Sequence, residues 1–135
     1  MKPAPLHRLV GDVRLVVRGP TEPSDEQFDA HIAEALAMVE SVRVVLVVYH
    51  GSVRISPKQR ARLVRTGLFD VPHAVLTDAV VGRAEIASIG ALGAPVRAFK
   101  TREFDEACDY LAVARPVRAE LLRHIEVMKP QLASE

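Results

Sequence analysis

The chain has 135 residues and a formal net charge of +1, with 49% hydrophobic and 26% charged residues. This length fits a single domain, 1–135, that buries about two thirds of its unfolded surface. The composition is that of a soluble globular protein rather than a disordered or membrane-spanning one. So small a net charge gives no overall field to recruit nucleic acid, so any electrostatic function must come from local separation of charge.

Targeting signals and disulfides are not expected. No apolar run reaches the roughly 18 residues of a membrane-spanning helix, and the start Met-Lys-Pro-Ala-Pro lacks the apolar core of a signal peptide. We therefore expect a cytoplasmic protein with no integral membrane segment. The single cysteine, Cys108, excludes an internal disulfide and a metal site built from cysteines. It falls on the apolar stripe of a predicted helix, where a buried, inert thiol is expected.

The N-terminal part predicts a β-hairpin followed by a surface helix. Apolar residues on either side of Gly11-Asp12 indicate two strands joined by a tight turn. Two prolines and a glycine predict a loop at 19–23. Ser24 is predicted to cap the next helix in a capping box with Gln27. The expected inward stripe of this helix consists of Phe28, Ile32, Leu36 and Val39.

The strongest pattern in the chain is the run of valine and leucine at 42–49. Such a run is typical of a central strand covered on both faces. After a turn at 50–52, Ser56 and Pro57 predict the start of a second helix, as its cap and its first residue. Its expected inward stripe consists of Ala61, Val64 and Leu68. Its outer face carries the three cations Lys58, Arg62 and Arg65.

The rest of the chain alternates strands and helices. The predicted elements are a strand at 73–77, a helix at about 79–92 capped by Thr77 or Asp78, a strand at 94–99, a helix at 102–113 and a last helix at about 116–129. Alternation of this kind predicts an α/β fold with parallel central strands and helices on the faces of the sheet.

The third helix is nearly apolar all round, and a helix without a polar face is buried by its own chain or by a partner. We expect it to lie between the sheet and the last helix. The alternatives are a dimer surface and one wall of an apolar groove for a lipid or another small ligand. The residues that would form either surface are Val81, Ala84, Ile89 and Leu92.

Several segments together carry a resemblance to a known family. They are 17–19, 24–28, 44–48, the helix start at Ser56, 73–78, and 96–100 followed by 105–107. Over residues 6–113 the chain resembles the SpoIIAA-like proteins, a bacterial group lying between STAS domains and the SEC14 lipid-binding fold. STAS domains include anti-sigma-factor antagonists and sulfate-transporter tails. The resemblance implies an N-terminal β-hairpin, then alternating helices and strands in a mixed sheet. The helix predicted at about 116–129 lies beyond it, as an additional C-terminal helix.

The resemblance also implies a role for Ser56. In STAS antagonists, a serine at the start of the helix after the central strand is phosphorylated by a partner kinase, and Ser56 occupies that position. Ile55 and Pro57 stand where the family typically has an Asp and a second small residue, so the resemblance gives the position, and Ser56 is a candidate phosphoacceptor. A helix cap alone is the structural alternative. A phosphate here would lie at the positive end of a helix dipole, near Arg54 and Lys58.

We therefore expect a non-enzymatic regulatory module in signalling, a homodimer that binds a protein partner, such as a kinase-type regulator, through its 50–65 edge. The partner-binding residues would be Arg54, Lys58, Arg62 and Arg65. These cations suit an acidic partner, the acidic first helix of another copy or a phosphate headgroup, or they form a solvated surface only. Nucleic acid is not expected, because no aromatic residues interleave with them. The alternative function is SEC14-like binding of a lipid or another small apolar ligand.

No catalytic residue, metal or cofactor is expected. The five histidines lack the paired spacing of metal ligands. They are His7, His31, His50, His73 and His124. Nothing around Ser52 or Ser56 resembles a nucleophile elbow, and no glycine-rich phosphate loop follows a strand.

Overall fold

The computed structural model describes residues 6–19, 24–49, 56–91 and 93–133. For Leu6, Val81 and 129–133 it describes the backbone only. The predicted turn at 50–52 lies outside the described residues, as do most of the predicted loop at 19–23, Arg54 and Leu92.

Within these ranges the strands are β1 (Leu6–Val10), β2 (Val13–Arg18), β3 (Val44–Tyr49), β4 (His73–Leu76) and β5 (Val96–Phe99). The α-helices are α1 (Asp25–Ala37), α2 (Pro57–Thr66), α3 (Val80–Ala91), α4 (Phe104–Tyr110) and α5 (Arg115–Ala133). Short 3-10 turns occur at Val39–Ser41, Leu68–Asp70 and Thr101–Glu103.

The strands form one mixed sheet in the order β1-β2-β3-β4-β5. β1 runs antiparallel to β2, and the other neighbouring strands are parallel. The α/β class, the N-terminal hairpin and the parallel central strands are thus confirmed. β3 is the middle strand, and its residues are nearly all buried, as its valine-rich sequence predicts.

Helices cover both faces of the sheet. The face under α4 and α5, here called the α5 face, carries the larger core, which includes Leu15, Leu46, Leu76, Cys108 and Leu121. The opposite face, here called the α3 face, lies under α1, α2 and α3, the crossovers between successive parallel strands. Strand residues two apart share a face, so β2, β3 and β4 contribute alternate side chains to each.

Cys108 lies in the α5-face core with no exposed surface, as predicted. Burial raises the pKa of its thiol to about 11. The side chain therefore remains a neutral thiol at pH 7.

The helix starts agree with the sequence patterns. Ser24 and Gln27 form the predicted capping box at α1. The Oγ of Ser56 accepts a hydrogen bond from the backbone of Gln59 at 3.1 Å, and Pro57 opens α2. At the start of α3, the hydroxyl of Thr77 accepts from the backbone of Ala79, whereas the carboxylate of Asp78 accepts from Thr101. Asp78 thus links two loops instead of capping the helix.

The inward stripes of α1 and α2 differ from the predicted ones. In α1, Phe28 and Ile32 are buried, but Leu36 is exposed. Val39 is exposed because the helix ends at Ala37 and Val39 belongs to the 3-10 turn that follows. In α2, Ala61 and Val64 are exposed, whereas Gln59 is buried and Leu63 half-buried. The inward face of α2 therefore contains Gln59 and Leu63, whereas the stripe predicted from the sequence faces solvent at Ala61 and Val64.

The expectation that α3 lies between the sheet and the last helix is wrong. α3 packs on β4 and β5 through Ile86 and Ile89, while α5 covers the opposite face. Its outer side faces water and carries small residues, together with Val80, which is 71% exposed. The small residues made α3 look apolar all round in the sequence, but exposure of a small apolar side chain to water costs little free energy.

Candidate functional site

A cavity of about 60 Å³ lies between the α3 face of the sheet and the helices that cover it. This volume exceeds the space that one ordered water needs. The lining comes from the inward positions of the central strands and from the covering helices and turn. It consists of Arg14, Val16, Arg18, Phe28, His31, Val45, Val47, Tyr49, Leu63, Leu68, Phe69, His73, Val75 and Ile86.

Two arginines lie on the sheet side of this cavity. Arg14 and Arg18 are four residues apart on β2, so the alternation of the strand directs both inward, on either side of Val16. Arg14 is 6% exposed and Arg18 is 7% exposed. Burial of a charged guanidinium is costly unless a partner compensates it. The partners of these two side chains therefore decide what the cavity favours.

Among the described residues, the hydrogen-bond partner of Arg14 is neutral. Its Nη2 lies 3.1 Å from Nε2 of His31, and its Nε has no hydrogen-bond partner among the described residues. Desolvation lowers the pKa of Arg14 to about 10, although the negative charge of Glu34 opposes this shift. The side chain thus remains a cation at pH 7.

His31 is neutral at pH 7, because burial and the nearby charge of Arg14 lower its pKa to about 3. A guanidinium can only donate, so Nε2 of His31 accepts from Arg14 and the imidazole proton resides on Nδ1. That Nδ1 is buried and has no hydrogen-bond partner among the described residues. His31 therefore adds no negative charge to balance Arg14.

Arg18 also has a neutral partner. Its Nη1 donates to the hydroxyl of Tyr49 at 3.1 Å, and its guanidinium lies 5.4 Å from the centroid of the same ring. Burial raises the pKa of Tyr49, so the phenol is uncharged at pH 7. Within the ranges that the structure describes, the hydrogen-bond partners of both cations are thus neutral groups.

His73 completes the polar part of the lining. Its Nδ1 lies 2.8 Å from the carbonyl of Val71, which can only accept, so Nδ1 carries the proton. Burial lowers the pKa of His73 to about 4, which leaves the imidazole neutral at pH 7. The edge of Phe69 lies against it, with ring centroids 4.8 Å apart.

The lining of this cavity, as far as the structure describes it, is cationic and apolar. The lining residues include two cations, neutral imidazoles and a phenol among apolar side chains, but no serine, cysteine, lysine or carboxylate. A positive potential inside a space of low dielectric favours an anionic group.

The structure brings the predicted basic face of α2 against the acidic start of α1 in the same chain. Lys58 pairs with Asp25 at 3.3 Å, and Arg62 pairs with Asp29 at 2.9 Å. An acidic helix of another copy was one alternative for this face, and Lys58 and Arg62 instead meet the acidic helix of their own chain. Arg65 is exposed.

The four residues proposed for a dimer or ligand surface do not share one surface. Ile89 is 1% exposed and packs with Val75 and Val96 in the core of its own chain, so it offers no surface to a second copy. It also lines a second pocket, together with Phe69 and Gly93. Ala84 lies on the exposed side of α3. Leu92 lies outside the described residues, and for Val81 only the backbone is described.

Two histidines that look scattered in the sequence come together. The rings of His7 and His31 meet edge to face with centroids 5.7 Å apart, and Nε2 of His7 contacts the carboxylate of Glu34. Among the described residues, no group of three or more His, Cys, Asp or Glu side chains is placed to hold a metal ion.

The sequence reasoning missed Arg14 and Arg18. A signal for them was present in the sequence. Two charged residues interrupt an otherwise apolar strand, and they are four positions apart, so they lie on the same face. Such a pattern normally indicates a solvated face, which hid their burial.

None of the described helices is both long and apolar enough to span a membrane. A scan against protein-family models found no match to this chain, and searches among curated proteins and solved structures found none.

Proposed function

We propose that this domain is a binding module, rather than an enzyme, and that it takes a small molecule with an apolar body into the cavity under α1, α2 and α3. One observation supports this most directly: a space larger than one water molecule lies on the α3 face of the sheet. Protein interiors are otherwise packed to near-crystalline density. Apolar walls with a few converging polar groups are typical of ligand pockets. Because about 60 Å³ is less than the volume that encloses a benzene ring, the bound molecule must extend beyond the cavity or move its walls apart.

The proposal develops the SEC14-like alternative from the sequence. The pocket differs in place from the expected one, since α3 contributes Ile86 to the lining whereas α5 lies on the other face. The SpoIIAA-like, STAS-related assignment is part of the same proposal. Its support is the N-terminal hairpin and the alternation of helices with parallel strands.

The cavity is tested by filling it. We would titrate the full chain with benzoate, benzamide, hexanoate and hexanamide and follow backbone amide shifts by NMR. We expect at least one compound to shift signals of residues that line the cavity. Val47→Phe, which places a ring into the space from the central strand, should abolish those shifts.

Val80→Phe on the exposed side of α3 is the matched control and should leave the shifts unchanged. Val47→Leu is a milder filling variant and should weaken binding. Absence of binding by all four compounds, or unchanged binding in Val47→Phe, would refute the proposed function.

A second proposal retains partner binding at the 50–65 edge, with Ser56 as the candidate phosphoacceptor. Its support is the geometry at the start of α2. Lys58 and the side-chain amide of Gln59 both reach the carboxylate of Asp25, the latter at 3.4 Å. A phosphate on Ser56 would compete with Asp25 for these donors and weaken the contact between α1 and α2.

Incubation with candidate kinases should label the wild type and not Ser56→Ala. The fraction labelled would be measured by mass spectrometry. Label that persists in Ser56→Ala would contradict this proposal.

A further inference from the structure

We propose that the molecule bound in this cavity carries a carboxylate held by Arg14, that its apolar body lies over the valines of β2 and β3, and that Arg18 lies at the far end of that body and adds to the positive potential. The inference rests on the proposed function, because it assigns the class of ligand to the same cavity.

The first support is the contrast between buried and exposed arginines. Within the described part of the chain, the arginines that form ion pairs with carboxylates are Arg43, Arg62, Arg118 and Arg123. All four are more exposed than Arg14 and Arg18. The two arginines for which a counter-charge would matter most have neutral partners instead. A bound anion would supply the missing charge.

The second support is the pattern of unused donors. Nε of Arg14 is buried and unpartnered among the described residues, and so is Nδ1 of the adjacent His31. A guanidinium presents neighbouring N–H groups in a planar fork that matches the two oxygens of a carboxylate. The acid that acts most on Arg14 is Glu34, but its carboxylate contacts His7.

The third support is the spacing along β2. Residues four apart on a strand have Cα atoms about 13 Å apart, at about 3.3 Å per residue. Val16 lies between the two arginines on the same face, and Val47 lies opposite Val16 on β3. A carboxylate at Arg14 thus leaves an apolar surface beside it for the body of the ligand, with Arg18 at the far end.

The test compares each acid with its neutral isostere at constant ionic strength. Benzoate should bind the wild type at least about tenfold more tightly than benzamide, and hexanoate more tightly than hexanamide, because a charge-assisted hydrogen bond is lost in the amide. Arg14→Met should remove this preference, and Arg18→Met should reduce it. Arg14→Lys keeps the charge without the fork and should give an intermediate preference.

Arg97→Met is the matched control. Arg97 is exposed on β5 and lies against Phe99 on the α5 face, so this variant removes one cation without touching the cavity. It should leave the preference for the acid unchanged. Inorganic phosphate should bind more weakly than benzoate, because it has no apolar body.

The outcomes separate the two proposals. Equal binding of acids and amides at the cavity would overturn the carboxylate assignment and leave the proposed function standing. An unchanged preference in Arg14→Met, or phosphate binding as tight as that of benzoate, would also overturn the assignment. Failure of all four organic compounds to bind would overturn both proposals.

Discussion

Arg14 combines burial, a positive charge and a neutral partner. In the absence of ligand this is an unfavourable state, since replacement of a buried charge by an apolar side chain is often neutral or stabilising. We expect Arg14→Met to raise the free energy of unfolding by about 1 kcal/mol, with the loss of the hydrogen bond to His31 offsetting part of the gain. Urea denaturation of ligand-free protein would measure it.

Arg97→Met serves as the control for this measurement too, because its guanidinium is exposed to solvent. A marked fall in stability for Arg14→Met would show that the guanidinium holds the fold together. In that case its burial would have a structural explanation.

His73 gives stability a dependence on pH. Its pKa is about 4 in the folded protein, below the ordinary value of 6.5, because of burial. Between these two values the unfolded chain binds more protons than the folded protein. The contribution of His73 to the free energy of unfolding is therefore fully present above about pH 6.5 and is lost as the pH drops toward 4. The loss per pH unit approaches about 1.4 kcal/mol for this group.

Denaturation at pH 7 and pH 5 should show this loss, and His73→Gln should show less of it. His124→Gln, on the other side of the sheet, is the control for the loss of an imidazole and should leave the pH dependence unchanged. Equal pH slopes in the wild type and in His73→Gln would contradict the prediction.

At the scale of elements, α3 shows two sides with opposite tolerance to charge. Ile89 packs against β4 and β5, whereas Ala84 faces solvent on the same helix. We expect Ile89→Asp to lower the free energy of unfolding by about 3 kcal/mol or more, since it buries an unpaired carboxylate. Ala84→Asp should change it by less than about 1 kcal/mol. Circular dichroism during denaturation would measure both.

The same pair of variants separates folding from self-association. If a second copy binds the exposed side of α3, Ala84→Asp should reduce the apparent mass in analytical ultracentrifugation without changing the circular dichroism. Loss of mass only in Ile89→Asp would report unfolding and would not support a dimer at this helix.

Local signals predicted the starts of the helices better than their inward faces. The capping box at Ser24 and the cap at Ser56 depend on hydrogen bonds within three residues, so the sequence suffices. The inward faces depend on neighbouring elements. Gln59 turns inward because α2 meets Asp25 of α1. The helical periodicity of α2 alone does not indicate this contact.

At the scale of the whole molecule, the sheet order places β3 at the centre, with helices on both sides. Local opening of the edge strands does not expose this strand. We expect the amides of β3 to exchange hydrogen with an opening free energy near the global value, and those of β1 to exchange at a lower one. Native-state hydrogen exchange by NMR would measure this, and faster exchange in β3 than in β1 would contradict the sheet order.

The class of fold was predictable, because alternation of helices with a doubly buried strand leaves few arrangements. The face that each helix covers was not, since the small residues of α3 concealed its solvent side. The cavity was less predictable still. It requires Arg14 from β2, His31 from α1 and His73 from β4 to meet, and they are brought together only by the pairing of strands distant in sequence.

The packing of α5 joins the two ends of the chain. Leu121 and Ile125 belong to the same core as Val10 and Val13. Nη1 of Arg8 lies 3.3 Å from Nδ1 of His124. During synthesis, the N-terminal hairpin leaves the ribosome long before the helix that covers it. The nascent chain therefore displays an unprotected apolar face until α5 has emerged, and aggregation or a chaperone can act on the chain during this interval.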